Sequence, residues 1–198
     1  MNMKKFSKYS DDELMEIIRD DSRRSAAAFD ALYEKYSTKL NTFCIFKTNR
    51  IEDAEELFED TWLKFLDKVK KGTNVRGVLP YLYTIARTGA IDRFRRDNNS
   101  NRPLLDYKDF EQMEEIVSPL DLQLQIENDN MIEIIKASLD CLDEIYRETF
   151  VLQWFGGMSQ QEISEITGTS VANVKIRSHR AMTKLIKLLK PYLADTVK

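Results

Sequence analysis

Apolar side chains recur at steps of three and four residues through most of the chain, and no stretch alternates apolar and polar residues at a step of two. A step averaging 3.6 gathers such residues on one side of an α-helix, whereas a half-buried strand needs the two-residue step. The pattern is clear at Ala28, Leu32, Tyr36, Leu40 and Phe43. It returns as a broad face at Ala54, Leu57, Phe58, Thr61, Trp62, Phe65, Leu66 and Val69. Only 6 Gly and 4 Pro occur among 198 residues, so few positions interrupt a helix. The expected fold class is all-α.

Capping and turn residues divide the periodic segments. Ser10-Asp-Asp-Glu13 and Ser159-Gln-Gln-Glu162 have the S-x-x-E form in which the glutamate reaches back to the cap N–H, so each opens a helix. Asn49 to Glu52 resembles a third helix start. Lys70 to Gly77 reads as a loop, and Pro80 suits the first turn of a helix that should reach about Arg96. From Asp97 to about Ile126 the periodicity fails and acids accumulate. Helical spacing resumes at Met131, Ile134, Ile135, Leu139 and Leu142, and a helix from Asp143 to Phe155 should close at Gly156-Gly157. A short helix carrying Ile163 and Ile166 follows. Thr167-Gly168-Thr169 then turns the chain, and Ser170 caps a long final helix expected to end near Lys190, before Pro191. The expected organisation is two helical domains, residues 1–98 and 128–198, joined by an acidic linker at 99–127.

The net charge of −3 is unevenly spread. Asp106 to Asp129 sets eight acids against Lys108 alone, while Ser170 to Ala194 carries Lys175, Arg177, Arg180, Lys184, Lys187 and Lys190 with no acid. Local fields of this kind, more than the total, decide whether a polyanion is attracted. A second basic stretch runs from Arg87 to Arg96. Cys44 and Cys141 lack the spacing of a zinc site or disulfide framework and are expected to be buried in a reducing compartment. Neither a signal peptide nor an apolar run of membrane-spanning length is found, so a cytoplasmic protein without membrane insertion is expected.

Two helices joined by a three-residue turn containing glycine, the second capped and free of acids, meet the description of a helix-turn-helix. Val171, Val174, Ser178, Ala181, Leu185 and Leu188 should bury. Asn173, Ile176, Arg177 and Arg180 should face outward near the end that reads base edges, with Ser170, Lys175 and Lys184 at their flanks. A contact with protein is the alternative for that face.

Two further clusters stay open on residue grounds. Asp53, Glu55, Glu56, Glu59 and Asp60 form either a solvated helix face or a patch for a basic partner. Tyr81, Tyr83, Arg87, Arg93, Phe94, Arg95 and Arg96 combine rings with cations, which suits stacking on an unpaired strand, or equally a core with a basic end. Trp62, Phe58 and Phe65 are expected in the core. No nucleophile–base pair, glycine-rich phosphate loop or metal cluster is recognisable, so neither an enzyme nor a cofactor is expected.

Four blocks together resemble the extracytoplasmic-function (ECF) group of sigma factors. Ala28-Phe-Asp-Ala-Leu-Tyr-Glu-Lys-Tyr36 is similar to the opening helix of region 2, and Asp53-Ala-Glu-Glu-Leu-Phe-Glu-Asp-Thr-Trp62 to its polymerase-binding stretch. Tyr81 to Asp92, followed by Arg93 to Arg96, is similar to the promoter-melting helix, and Ser159 to Leu185 to region 4. The resemblance implies a region 2-like helical bundle and a region 4-like helix-turn-helix in a non-catalytic initiation factor. It implies that Asp53, Glu56, Leu57, Asp60 and Thr61 meet the β′ coiled coil of core RNA polymerase, with the β flap as a further polymerase contact. It implies that Lys70, Lys71, Asn74, Arg76, Tyr81, Tyr83, Arg87, Arg93, Arg95 and Arg96 serve the downstream promoter element and single-stranded DNA. Ser170, Asn173, Lys175, Ile176, Arg177, Arg180 and Lys184 would serve the upstream element, and a regulatory anti-sigma factor is implied as a further partner. The chain departs from the usual family pattern at Glu59, Tyr81, Thr88, Ile176 and Ser178. The rival readings are a stand-alone helix-turn-helix regulator and a protein–protein adaptor.

Overall fold

The computed structural model describes residues 6, 8–20, 23–48, 50–97 and 129–193, and every regular element among them is helical. The first domain contains α1 (Asp11–Arg19), α2 (Ser25–Lys47), α3 (Ile51–Lys70) and α4 (Val78–Asp97). The second contains α5 (Asp129–Asp140), α6 (Glu144–Phe150) continued by a π-helical turn (Val151–Phe155), α7 (Gln160–Thr167) and α8 (Val171–Leu193). The expected acidic linker and the Asn49 cap lie outside the described residues.

Both S-x-x-E signals form reciprocal caps. The Glu13 N–H donates to Ser10 Oγ at 3.3 Å while the Ser10 N–H donates to the Glu13 carboxylate at 2.7 Å; the Ser159–Glu162 pair repeats this at 3.2 and 2.8 Å. Donation from the Ser10 backbone and hydroxyl holds the Glu13 carboxyl below its ordinary value. At α3 Arg50 precedes the helix and makes no side-chain bond to it. Glu52 and Asp53 in the first turn supply negative charge at the positive end of the helix dipole instead.

In the first domain Ile18, Leu32, Leu40, Phe43, Cys44, Leu57, Phe65, Leu82 and Ala86 are almost fully buried. Trp62 is buried too, with ring edges set against Phe29 at 5.5 Å and Phe65 at 5.8 Å, and Phe58 is partly buried beside it. Gly89 lets α4 come close to α3, because an added Cβ would lie 2.9 Å from Leu57 Cδ1. Burial pushes the Cys44 thiol up to about 12. Cys141, expected inside, is exposed: α5 ends at Asp140, and Cys141 begins the turn towards α6.

In the second domain α8 packs on α6, α7 and α5. Gly168 ends α7 in the left-handed region at φ 68°, which a side chain would strain, and Ser170 Oγ accepts from the Asn173 N–H at 3.2 Å to start α8. Val174, Ser178, Ala181 and Leu185 bury as the spacing predicts, but Leu188 is exposed and Leu189 takes the inner place. The mean turn of 3.6 residues makes the last step four and not three. The helix also continues through Pro191 to Leu193. So close to the end, the proline removes one backbone bond and stops nothing upstream.

The two domains touch. The π-helical turn and α6 pack on α2, and α7 packs on α4. Phe155 stacks on Phe46 with centroids 5.6 Å apart and rings 25° from parallel. At Gly156 an added Cβ would fall 3.0 Å from the Tyr83 hydroxyl.

Candidate nucleic-acid interface

The outward side of α8 begins at its capped N-terminus. Ser170, Lys175 and Ile176 are exposed, and Asn173, Arg177 and Arg180 are partly so. No acid occurs anywhere in α8, so the positive helix end and the cations share one sign. Two of the site residues also tie α8 to its own domain: Arg180 donates to the Tyr146 hydroxyl at 3.3 Å, and Lys184 pairs with Asp143 at 2.9 Å. Asn173 Nδ2 donates to Thr169 Oγ1 at 3.3 Å, fixing its side chain beside the cap.

In the first domain, a groove of about 750 Å³ is lined by Asp53, Glu56, Glu59 and Asp60 of α3, by Ala90, Arg93, Phe94 and Arg96 of α4, and by Lys47, Thr48 and Arg50 at the end of α2, so its four acids meet four cations. Arg93 spans it, donating from Nη1 to Glu56 at 2.7 Å and from Nη2 to Asp60 at 2.6 Å. Although burial disfavours its charge, these two carboxylates outweigh that effect and hold its pKa above the ordinary arginine value. Leu57 and Thr61 do not face the groove's solvent: each is 1% exposed, and the Thr61 hydroxyl donates to the Leu57 carbonyl at 2.6 Å. The expected acidic patch therefore reduces to Asp53, Glu56 and Asp60, with Glu59 beside them, and Leu57 and Thr61 hold the helix that carries it.

The downstream set also divides. Lys70, Lys71, Asn74 and Arg76 are exposed around the α3–α4 loop, with Lys71 paired to Asp67 at 2.8 Å. Arg95 and Arg96 are exposed at the end of α4, Arg96 donating to the Asp92 carbonyl at 3.3 Å. Tyr81 is partly buried against Phe65. Tyr83, expected at the strand, is 1% exposed and donates to the Lys39 carbonyl at 3.4 Å, so it belongs to the core. Burial, with Cys44 nearby, pushes its hydroxyl well above the ordinary tyrosine value.

Arg87 points to the second domain. Its Nε donates to Glu148 Oε1 at 3.1 Å, and Lys47 Nζ donates to the same oxygen at 2.9 Å. Lys47 also pairs with Glu144, which Arg147 holds from its own helix at 2.7 Å. Burial works against the Lys47 ammonium, but Glu148 and Glu144 overcome it and keep its pKa above the ordinary value. Lys39, Lys47, Glu144 and Glu148 were not among the expected site residues. Lys39, Phe43 and Lys47 follow one another at steps of four on α2, a visible stripe, but their partners lie about a hundred residues away, without a sequence mark.

No group of three His, Cys, Asp or Glu side chains among the described residues is placed to hold a metal ion, and none of the described helices is long and apolar enough to cross a membrane.

Comparison with known proteins agrees with this architecture. The family model for sigma-70 region 2 matches residues 32–100, and that for sigma-70 region 4 matches residues 132–185. Together these cover more than half of the chain, which belongs to the RNA polymerase sigma factors, within their ECF group. RNA polymerase sigma factor YlaC of Bacillus subtilis (strain 168) is 26% identical over 166 residues, covering 81% of this chain and 91% of that one. ECF RNA polymerase sigma factor SigX of the same organism is 27% identical over 173 residues, covering 84% and 88%. Among solved structures, CnrH in complex with the cytosolic domain of CnrY superposes with a TM-score of 0.62 at 22% identity, over 90% of this chain and 96% of that one. The sigma factor RpoE in complex with the anti-sigma factor NepR from Bartonella quintana gives a TM-score of 0.56 at 23% identity, over 80% and 96%.

Proposed function

We propose that this sigma factor binds core RNA polymerase and directs it to promoters, supplying no catalytic group of its own. The observation that carries the reading is the opposition of two surfaces: the acidic side of α3 in the first domain, where Glu55, Glu56 and Glu59 are exposed, and the acid-free outer face of α8 in the second. Asp53, Glu56 and Asp60 receive basic groups of polymerase, at the β′ coiled coil. Asn173, Ile176 and Arg177 read base edges of the upstream element, while Ser170, Lys175, Arg180 and Lys184 contact its phosphates. Lys70, Lys71, Asn74, Arg76, Arg87, Arg93, Arg95 and Arg96 serve the downstream element and the separated strand, with Tyr81 at its edge. Residues 1–98 and 128–198 act as separate grips joined by 99–127, so two weak contacts reinforce each other through effective concentration. The second domain also meets the β flap.

A protein inhibitor of the anti-sigma class is part of this reading, because the RpoE structure similar to this chain was solved with one bound. The chain acts in the cytoplasm, where core polymerase is found. Run-off transcription with purified core enzyme tests the function: addition of this chain should produce starts at defined template positions. Unchanged initiation on every template would overturn it, and DNA binding without polymerase dependence would favour a stand-alone regulator.

A further inference from the structure

The buried stripe of α8 is apolar at Val174, Ala181 and Leu185, and among the described residues of that helix one buried polar side chain interrupts it: Ser178, 7% exposed. Its hydroxyl donates to Gln153 Oε1 at 2.6 Å. Gln153 belongs to the π-helical turn, which also packs on α7, so one short segment bears on both helices of the helix-turn-helix. The turn itself is firmly held. Its backbone is closed by the Gly156 N–H on the Val151 carbonyl at 2.9 Å and the Met158 N–H on the Leu152 carbonyl at 3.0 Å, and Trp154, next to Gln153, stacks on Phe150 with centroids 4.5 Å apart.

We infer that the Ser178–Gln153 hydrogen bond is a registry contact that fixes the rotation of α8 about its own axis, which makes both side chains positioning residues for promoter selectivity. They act through Ile176 and Arg177. The inference rests on the proposed reading of α8 as the helix of the upstream element and extends it to the helix's inner side. Apolar packing is non-directional and keeps its stability through small rearrangements, whereas a hydrogen bond weakens steeply once its angle or length departs from the optimum. A rotated α8 would leave the Ser178 hydroxyl without its acceptor in an apolar seam, which is unfavourable. A single buried polar side chain sets register between packed helices by the same logic. The consequence outside is geometric, because a turn of about 20° carries the end of an outward side chain, roughly 6 Å from the helix axis, through about 2 Å. A base-edge hydrogen bond does not survive that shift. Phosphate contacts do, since Lys175 and Lys184 are flexible point charges that follow small movements.

The test uses the full chain assembled with core polymerase and a duplex pool randomised through the upstream segment. The sequence most enriched by the parent is compared with its single-base variants, and the ratio of affinities is the readout. The double variant Ser178→Ala with Gln153→Met removes the bond at nearly constant shape, so its melting temperature and its affinity for unrelated duplex should match the parent's, while the ratio falls about fivefold, the size expected from one neutral hydrogen bond. Ser178→Thr keeps the hydroxyl and should keep the ratio. Gln153→Met alone gives the same reading if the double variant does not fold. A parental ratio in the variants that lack the bond overturns the registry contact and leaves the upstream-element reading standing. Equal loss in Ser178→Thr overturns it too, because side-chain volume and not the bond would then set the preference. Uniform weakening on every duplex at an unchanged ratio reduces the pair to a structural role and likewise overturns the inference. A parent that enriches no upstream sequence overturns the reading of α8, and the registry contact with it.

Discussion

Arg93 donates to the Asp60 carboxylate at 2.6 Å and so ties α4 to the acidic side of α3. Glu56 shares the same guanidinium, and both carboxylates remain largely accessible, at 71% and 49% of their side-chain surface. Exposure at that level keeps them available to an incoming cation, with Arg93 as a partner already present.

Asp60→Lys should therefore remove one of the two carboxylates that hold Arg93 and set a like charge against it. Association with core polymerase, measured by pull-down, is expected to weaken on the order of tenfold or more, because like charges facing across an interface are strongly unfavourable. Promoter binding by α8 should persist in a gel shift. Equal loss of both activities would contradict the division of labour.

Leu57 and Thr61 predict a different outcome. Leu57→Ala removes a core side chain packed against Gly89 and should lower the unfolding free energy by about 2–5 kcal/mol in chemical denaturation. Any weakening of polymerase association should track the loss of folded protein. A stable Leu57→Ala chain with selectively lost docking would place this residue at the partner after all.

Arg177→Ala and Arg180→Ala should separate reading from packing. Arg177→Ala is expected to weaken promoter binding by about 1–3 kcal/mol if it reads a base. Arg180→Ala should weaken binding and also reduce the thermal stability of the second domain, since Arg180 hydrogen-bonds Tyr146. A melting temperature unchanged in Arg180→Ala would remove the structural half of that role.

The cluster at the domain contact sets a pH window. Burial opposes the Glu144 charge, but Lys47 and Arg147 outweigh it and hold the carboxyl below its ordinary 4.5. Its contribution is present above about that value and fades as pH falls through the lowered pKa. Lys47 is shifted the other way, above 10.5, so its contribution is present below 10.5 and fades as pH rises through the raised pKa. Asp140 supports Arg147 from the same domain. Interdomain closure, followed by energy transfer between a dye on each domain, should be flat between these limits and weaken on the acid side; a steep change near neutrality would point to another group.

Much of this was legible in the sequence because it is written locally. The Ser10 and Ser159 caps, the Gly168 turn and the Val174–Leu185 part of the inner stripe of α8 each depend on residues within a few positions of one another, and form as read; the stripe departs at Leu188, which is exposed. Errors arise where a distant element decides. Tyr83 and Arg87 looked like one mixed face of rings and cations, but α4 is packed by α3 on one side, α2 on another and α7 on a third. Tyr83 is consequently taken into the core and Arg87 into the domain contact. Spacing assigns Leu57 and Thr61 to the apolar face and resemblance assigns them to the polymerase contact, and their burial follows the spacing. The π-helical turn at Val151–Phe155 differs from an α-helix only in the size of its hydrogen-bonded ring, and nothing in residue type marks it.

The capped final helix answers to two demands on opposite sides. Val174, Ala181 and Leu185 are locked into the second domain, while Ile176, 42% exposed, makes no such commitment. On the proposed reading, replacement of outward side chains like this one would alter which sequence is preferred without asking the interior to rearrange. Related chains could thus diverge in target genes while keeping the same skeleton.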